Sequence, residues 1–229
     1  MNTEPVPMGD VMRAGLARLA EKRKDLENDP VLRAAIEARI AEAERAKAEE
    51  ARYWRRKALA HSGVPRRLLD KLENTEDRDA LRAVREWLEE TTTFLFLTGD
   101  INVGKTFAAS WAVSRRGGLF RKARDILALS QYDGEAWNAL YHAPFLAIDD
   151  LGAEALDGKD WGAAALRGLI DRRYDDEART IVTLNIELET MRERYGQDGG
   201  RLFRRLKEAG KWVEIAATAE QSVELGTPP

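Results

Sequence analysis

Three short apolar runs in the second half of the chain have the character of buried β-strands. They cover residues 94–97, 145–148 and 180–184, and segments of helical composition separate them. Short β-rich runs that alternate with helices form parallel sheets whose faces those helices cover. The pattern therefore predicts an α/β domain built on a parallel β-sheet flanked by helices.

The N-terminal quarter of the chain has a different pattern. From about Asp10 to Ala60 it consists mainly of Ala, Glu, Arg, Lys and Leu, and Asp29 followed by Pro30 offers an N-cap and a first helical turn. Two helices are predicted, separated near residues 28–30. Apolar positions of the second helix follow helical spacing and then fade into alanines, which does not support a long coiled coil. These positions are Leu32, Ile36, Ile40 and Ala43.

A change of pattern near residue 62 marks a domain boundary. Residues 61–65 read HSGVP, and Gly and Pro interrupt the helical pattern there. Helical composition returns over residues 78–90, just before the first apolar run. The sequence therefore predicts a helical N-terminal extension over residues 1–62 and an α/β domain over residues 63–229. The extension is either a solvated helical arm or a surface for a protein partner.

Composition excludes several classes of protein. The 229 residues carry a formal net charge of -3, so contact with nucleic acid needs local basic patches. There is no cysteine, and His61 and His142 are isolated, which excludes disulfides, thiolate zinc sites and cysteine nucleophiles. The N-terminus lacks the features of a secretory signal, and no apolar run is long enough to span a bilayer. A cytoplasmic protein without membrane contact is expected.

A phosphate-binding loop follows the first apolar run directly. Residues 99–106 read GDINVGKT, which fits G-x-x-x-x-G-K-[ST] between a predicted strand and a predicted helix over residues 107–114. Loop glycines let backbone N–H groups point at phosphates, Lys105 would reach the β- and γ-phosphate oxygens, and Thr106 would bind Mg²⁺. The alternative is a chance match, which the strand-loop-helix context argues against. The residues assigned to ATP are Gly99, Asp100, Asn102, Val103, Gly104, Lys105 and Thr106.

Two carboxylates close the second apolar run. Asp149 is predicted to hold Mg²⁺ through water, and Asp150 to orient and polarise the water that attacks the γ-phosphate. Two aspartates after a strand can also form only a turn or a helix N-cap. The P-loop upstream favours the chemical role. Glu154 is a rival for the water-polarising role.

Two further segments offer polar groups for the same chemistry. Asn185 closes the third apolar run, where its amide could contact the γ-phosphate or the attacking water, although a plain turn is the alternative. Residues 200–206 read GRLFRRL and present several arginines on a short predicted helix. An arginine supplied across a subunit interface stabilises transition-state charge, whereas the alternative for each of these arginines is a solvated basic face.

Taken together, these motifs resemble the DnaC/DnaI-type AAA+ helicase loaders and the related IstB-type transposition helpers. The resemblance extends over residues 59–215 and implies an AAA+ fold, with Asn185 as sensor I and Arg205 acting in trans. It also implies a partner-binding N-terminal region and an ATPase domain that contacts single-stranded DNA. The motifs that carry it are SGVPRR at residues 62–67, the P-loop, FLAIDDLGAE at 145–154, IDRRY at 170–174, the run 180–185 and GRLFRRL at 200–206.

The chain departs from the family pattern in three places. Asn102 stands where the loop usually has glycine, and Asn tolerates the left-handed conformation better than most residues, so ATP binding is expected to survive. The tail after residue 215 has no arginine, so a sensor II arginine is missing and weak hydrolysis is expected. The N-terminal extension lacks the cysteines of zinc-bearing loaders, so its partner surface would be helical.

The resemblance therefore implies a slow, partner-stimulated ATPase that loads a replicative helicase. Its cofactors would be ATP and Mg²⁺, and its partners a replicative DNA helicase, single-stranded DNA and further copies of the chain. An IstB-type transposition helper acting on duplex DNA is the alternative among ATPases. A P-loop nucleotide kinase is disfavoured by the long segment before Gly99. The missing sensor II arginine keeps open a nucleotide-binding adaptor that does not hydrolyse ATP.

Overall fold

The structure, a computed structural model, describes residues 29–73, 78–152, 160–185, 207–208 and 210–216, together with residues 15 and 18. Contacts between Cα atoms group the chain into two units, Met1–Arg55 and Arg56–Pro229. The predicted division into residues 1–62 and 63–229 stays a prediction, and most of the first predicted helix lies outside the described residues. Within the described ranges, no helix has both the length and the apolar character needed to cross a bilayer.

The first helix of the described ranges, α1, spans Pro30–His61. Its start is fixed by Asp29, whose Oδ1 accepts hydrogen bonds from the backbone N–H groups of Val31 at 2.8 Å and Leu32 at 3.4 Å. The predicted N-cap is therefore confirmed. Along its described length α1 buries no side chain, and Ile36 and Ile40 are 49% and 53% exposed.

The chain leaves α1 through a glycine turn that lies against strand β2 (Leu119–Lys122). The carbonyl oxygen of Ser62 accepts a hydrogen bond from the backbone N–H of Phe120 at 2.7 Å. Gly63 has a φ of +95°, and a Cβ atom there would lie 2.2 Å from the carbonyl oxygen of Phe120. Only glycine fits this turn without displacing β2.

Helices and strands alternate through the second unit, as the sequence predicts. The helices after α1 are α2 (Asp79–Glu89), α3 (Lys105–Arg116), α4 (Ala123–Leu127), α5 (Gly134–His142) and α6 (Asp160–Asp175). The strands besides β2 are β1 (Phe94–Gly99), β3 (Phe145–Leu151), β4 (Arg179–Leu184) and β5 (Gly210–Ile215). The three predicted strands are β1, β3 and β4; β2 and β5 were not predicted.

The five strands form one parallel sheet in the order β2-β3-β4-β1-β5. Because all strands run in the same direction, their carboxyl ends meet at one edge. The order places β4 between β1 and β3, so the P-loop after β1 and the acidic end of β3 lie on either side of the end of β4. This edge is where ligands bind in open α/β sheets.

Helices cover both faces of the sheet. Alternate residues of a strand point to opposite faces, and Leu95 and Leu97 of β1 accordingly belong to a core with α2 and α3, while Phe94 and Phe96 belong to a second core with α4, α5 and α6. All four side chains are fully buried. The predicted α/β domain with a parallel sheet flanked by helices is therefore confirmed.

A buried arginine joins α6 to the starting edge of the sheet. The side chain of Arg173 is fully buried, and its guanidinium donates hydrogen bonds to Thr180 Oγ1 and to four backbone carbonyl oxygens. Burial lowers the pKa of Arg173 to about 10, partly offset by Asp176. The four carbonyl oxygens that accept hydrogen bonds from Arg173 belong to Leu140, Tyr141, Ala143 and Arg179.

We predict that Arg173→Met destabilises the fold strongly. The substitution leaves several buried carbonyl oxygens without donors, each costing about 1–3 kcal/mol, so the free energy of unfolding should fall by about 3 kcal/mol or more. The matched control is Arg172→Met, because Arg172 is exposed and pairs with Asp176 at 2.7 Å, and a solvent-exposed ion pair contributes little to stability. Urea denaturation of both variants measures the difference, and similar midpoints would refute the anchoring role.

Candidate nucleotide-binding site

The predicted P-loop lies between β1 and α3 and has the backbone conformation its residues allow. Gly99, Asn102 and Gly104 have φ values of +111°, +66° and +93°. Glycine adopts positive φ without strain, and asparagine is among the residues that tolerate the left-handed region. Asn102 therefore takes the place of a loop glycine in the way the sequence suggests. Val103 anchors the loop, since only 3% of its surface is exposed.

Gly99 is also required by the neighbouring strand. Its register partner in β5 is Ile215, and a Cβ atom on Gly99 would lie 2.0 Å from the carbonyl oxygen of Ile215. The first loop glycine thus lets β5 approach β1 where the loop begins. This constraint comes from strand pairing and is independent of nucleotide.

The side chain of Lys105 is held inside the loop. Its Nζ donates to the carbonyl oxygens of Gly99 at 2.7 Å and Asp100 at 2.5 Å, and the residue is 5% exposed. Burial lowers the pKa of Lys105, and nearby carboxylates, Asp100 first, act in the opposite direction. Backbone carbonyls that hold an ammonium group can be exchanged for phosphate oxygens, so the lysine is placed for the predicted role.

Asp149 is the buried acid of the site. Its Oδ1 accepts hydrogen bonds from Thr106 Oγ1 at 2.9 Å and from Thr183 Oγ1 at 2.8 Å, while Oδ2 is buried and has no hydrogen-bond partner among the described residues. Burial is the largest influence on Asp149 and raises its pKa, against the two threonine hydrogen bonds. A buried carboxylate is costly unless a cation or further donors compensate it.

These oxygens fit a magnesium ion. Mg²⁺ prefers oxygen ligands and is commonly held by one or two protein groups together with phosphates and water. The hydroxyl of Thr106, in the first turn of the P-loop helix, can ligate such an ion. The unpartnered Oδ2 of Asp149, at the adjacent strand end, can accept a hydrogen bond from a water of that ion. The donor set therefore suits the predicted ion.

Asp150 lies beside Asp149 in an unusual backbone conformation. Its φ is +58°, and the β3–β4 pairing shifts register between residues 148 and 151. Such a bulge turns a side chain away from its regular direction. The Asp150 backbone N–H donates to Thr183 Oγ1 at 3.0 Å, Asn185 Nδ2 donates to Asp150 Oδ1 at 3.0 Å, and Lys122 Nζ lies 2.9 Å from Oδ2. Predicted residues Asp150 and Asn185 are thus in direct contact.

Two polar residues of this cluster were missed by sequence reasoning. Thr183 belongs to the run that predicted a strand, and its hydroxyl links Asp149 and Asp150. Lys122 ends β2, whose strand character was not predicted. The signal available in the sequence for Thr183 was its position as a polar residue two places before Asn185, near the end of the same strand. Nothing in the sequence signalled Lys122.

Two predicted residues lie outside the described residues. They are Arg205, with the rest of the arginine segment, and Glu154, the rival for the water-polarising role. Their roles stay predictions, as does the weak hydrolysis expected from the missing sensor II arginine.

The parallel sheet and the loop between β1 and α3 define an α/β fold of the P-loop type. Among solved structures, the chain is similar to the crystal structure of DnaI, with a TM-score of 0.53 and 21% identity over 66% of this chain and 94% of that one. The chain therefore shares the fold of the DnaI structure, which agrees with the resemblance of its sequence motifs.

Two structures of the replication initiator DnaA also match. One is AMPPCP-bound DnaA from Aquifex aeolicus, with a TM-score of 0.53 and 22% identity over 67% of this chain and 52% of that one. The other is DnaA bound to AMPPCP and single-stranded DNA, with a TM-score of 0.50 and 22% identity over 69% and 55%. The chain thus spans about half of each DnaA chain. No family model and no curated protein matches it.

We predict that Lys105→Ala and Asp150→Asn separate binding from turnover. Removing the Lys105 ammonium loses charged hydrogen bonds worth about 1.5–3 kcal/mol, or about a 10- to 100-fold loss of ATP affinity. Asp150→Asn keeps the P-loop intact and should bind ATP while losing hydrolysis.

Fluorescent-nucleotide titration and phosphate release measure both effects. Lys71→Ala is the control for loss of a lysine, because Lys71 is exposed and outside the site. Unchanged affinity in Lys105→Ala would remove the assignment of the phosphate site.

Proposed function

We propose that this protein is an ATP-binding and ATP-hydrolysing helicase loader that acts in DNA replication. The observation that carries the nucleotide part is the buried Asp149 carboxylate, with its unpartnered oxygen beside Thr106 and the P-loop lysine on the adjacent loop. Such a site compensates its buried charge when Mg-ATP is bound.

ATP would occupy the P-loop with its phosphates toward the α3 N-terminus. Backbone N–H groups of the loop and the helix dipole favour the phosphates, and Lys105 moves from the Gly99 and Asp100 carbonyls to the β- and γ-phosphate oxygens. Thr106, and Asp149 through water, would hold Mg²⁺, which would neutralise part of the phosphate charge.

Asp150 and Asn185 would carry hydrolysis. Asp150 polarises the attacking water, and Asn185 senses the γ-phosphate as sensor I. In the described state both Asp150 oxygens are already engaged, by Asn185 and Lys122. Each carboxylate oxygen can accept a further hydrogen bond from water, but the Lys122 ammonium offsets part of the charge that would polarise that water. A slow basal turnover that a partner stimulates is the expected consequence.

The partners follow from the sequence resemblance to DnaC/DnaI-type loaders, and the likeness to DnaI supports the same fold. Residues 1–62 would bind a replicative DNA helicase, and the ATPase domain of residues 63–229 would contact single-stranded DNA and other copies of the chain. The solved structure of DnaA holds AMPPCP and single-stranded DNA together in that protein, which supports proposing both ligands for this chain. ATP would then switch the assembly between states.

A nucleotide-binding adaptor is the second candidate. Lys122 favours it, because its Nζ lies 2.9 Å from Asp150 Oδ2 and offsets part of the carboxylate charge that would polarise a water molecule. An adaptor binds ATP without releasing phosphate, whereas the loader releases it in the presence of helicase and single-stranded DNA. An IstB-type transposition helper would instead co-purify with a transposase and act on duplex DNA.

We predict that the helicase binds the exposed apolar positions of α1. Ile36→Glu with Ile40→Glu should abolish helicase capture in a pull-down, because an amphipathic helix docks through apolar side chains at helical spacing. ATP affinity should be unchanged. The control is Ala34→Glu with Ala38→Glu, which adds the same charge on the other side of the helix. Retained capture by the isoleucine variant would relocate the partner site.

We predict that Arg205 acts on ATP held by a neighbouring subunit. Arginine fingers contribute about 10³- to 10⁵-fold in rate, so Arg205→Ala should bind ATP and be nearly inactive. Mixing Arg205→Ala with Lys105→Ala should restore some phosphate release, because one mixed interface has an intact P-loop and an intact finger. In mixed assemblies shown to form, inactivity without rescue would contradict action in trans.

A further inference from the structure

A cleft between two arginines lies at the edge of the sheet opposite the P-loop. Its volume is about 300 Å³, and its lining residues are Leu88, Arg116, Pro144, Phe145 and Arg179. These residues come from the last turns of α2 and α3 and from the starts of β3 and β4. Because strands of a parallel sheet all start at one edge, the cleft is distant from the nucleotide site.

Backbone contacts fix both guanidinium groups of the cleft. Arg116 donates to the carbonyl oxygen of Leu88 at 2.9 Å, and Arg179 donates to those of Glu90 at 2.6 Å and Trp87 at 2.8 Å. Arg179 also lies 4.1 Å from the ring centroid of Trp87. These carbonyls form the C-terminal end of α2, where positive charge is favourable. Both arginines are therefore held in place before any ligand binds, which reduces the entropy lost on binding.

The two guanidinium groups repel each other. Burial is the first cause that lowers the pKa of Arg179, and the charge of Arg116 is the second, while Glu90 acts in the opposite direction. Glu90 is itself paired with Lys211 at 2.6 Å. An anion that enters the cleft would relieve the repulsion between the two arginines.

Basic residues continue along the outside of α2 and α3. Arg85 and Arg115 each lie 5.3 Å from the ring centroid of Trp111, and Arg115 adjoins Arg116 in sequence. The carboxylates of the last turns of α2 are Glu86, Glu89 and Glu90, and Lys211 lies 3.9 Å from the first and 2.6 Å from the last. Among the described residues of this region, the four arginines of the cleft and of α2 and α3 outnumber these three carboxylates, and Lys211 lies close to two of the three.

We propose that this arginine surface, formed by Arg85, Arg115, Arg116 and Arg179, binds the phosphate backbone of DNA independently of ATP. Guanidinium groups spread over two helices and a strand match a polyanion, whereas a single carboxylate or a free phosphate would contact only the arginines of the cleft. Trp111, the aromatic residue beneath Arg85 and Arg115, is only 9% exposed, so it offers no platform for a base. The contact is therefore with phosphates and does not read sequence.

This inference takes DNA as the ligand from the proposed function but places a contact far from the nucleotide site. DNA held here stays bound when ATP is hydrolysed or released. The surface would thus keep the protein on DNA while the ATP-dependent contacts change, which a loader that cycles between assembly states requires.

The test is the salt dependence of DNA binding by the full chain without nucleotide. Affinity is measured by fluorescence anisotropy with a labelled oligo-dT at several salt concentrations. The double variant Arg115→Gln with Arg116→Gln should bind more weakly, and its slope of log K against log salt should be smaller by about 1.4, because each lost phosphate contact contributes about 0.7 for single strands. The side chain of Arg115 makes no hydrogen bond to the described residues and lies against the Trp111 ring. Arg115→Gln alone, with a change of about 0.7, therefore covers the case in which the double variant folds poorly.

The charge control is Arg124→Gln, which removes an exposed arginine beside the carboxyl end of β2 and should leave the slope unchanged. An unchanged slope in the Arg115 and Arg116 variants refutes the surface. Equal displacement of oligo-dT by polyglutamate of matched charge also refutes it, because the surface would then accept carboxylates as readily as phosphates.

The Lys105→Ala protein separates this inference from the proposed function. In that background the same slope difference should persist, although ATP binding and helicase loading are lost. A slope difference that appears only with bound ATP would overturn the proposed independence. A protein with Lys105 intact that shows the slope difference but neither releases phosphate nor loads helicase would contradict the proposed function alone.

Discussion

The buried carboxylate of Asp149 is the interaction on which the arrangement of the site depends. Thr106 from α3 and Thr183 from β4 both donate to the same oxygen, so one atom fixes the P-loop helix and two strands relative to each other. Burial without these donors would be costly. The second oxygen is left without a partner among the described residues, and this is why the site is suited to a cation that arrives with phosphates.

The opposite edge of the sheet keeps this geometry in place. Arg173 joins the loop before β3 to the start of β4 through the carbonyls of Ala143 and Arg179. Since β3 and β4 carry the acidic and polar residues of the site at their other ends, a shift between these strands would be transmitted along their length. The stiffness of packed cores makes such a shift costly, so a residue remote from the nucleotide contributes to the spacing of Asp149 and Thr183.

Asp150 shows how its surroundings hold a strained backbone conformation in place. A non-glycine residue with positive φ at a bulge persists only when its surroundings determine it, and here Thr183, Asn185 and Lys122 all contact Asp150. The same contacts that hold the carboxylate in position also occupy both of its oxygens. The position of this acid is therefore set by residues of β2 and of the end of β4.

The sequence by itself determined the features that depend on neighbouring residues. The P-loop is eight consecutive residues between a strand and a helix, and Asn102 adopts the left-handed conformation its side chain tolerates. The N-cap at Asp29 and the apolar strands β1, β3 and β4 are local in the same sense.

Tertiary structure alone decided the contacts between distant segments. β2 and β5 are short strands with polar residues among the apolar ones, LFRK and GKWVEI, so they lack a clear strand pattern. Lys122 meets Asp150 only because the order β2-β3-β4-β1-β5 makes β2 the neighbour of β3. Arg173 stands beside Arg172 in the motif IDRRY, and the sequence does not distinguish the buried arginine from the exposed one. Five oxygens from three segments converge on Arg173. Such convergence depends on packing between elements, which no local pattern of residues encodes.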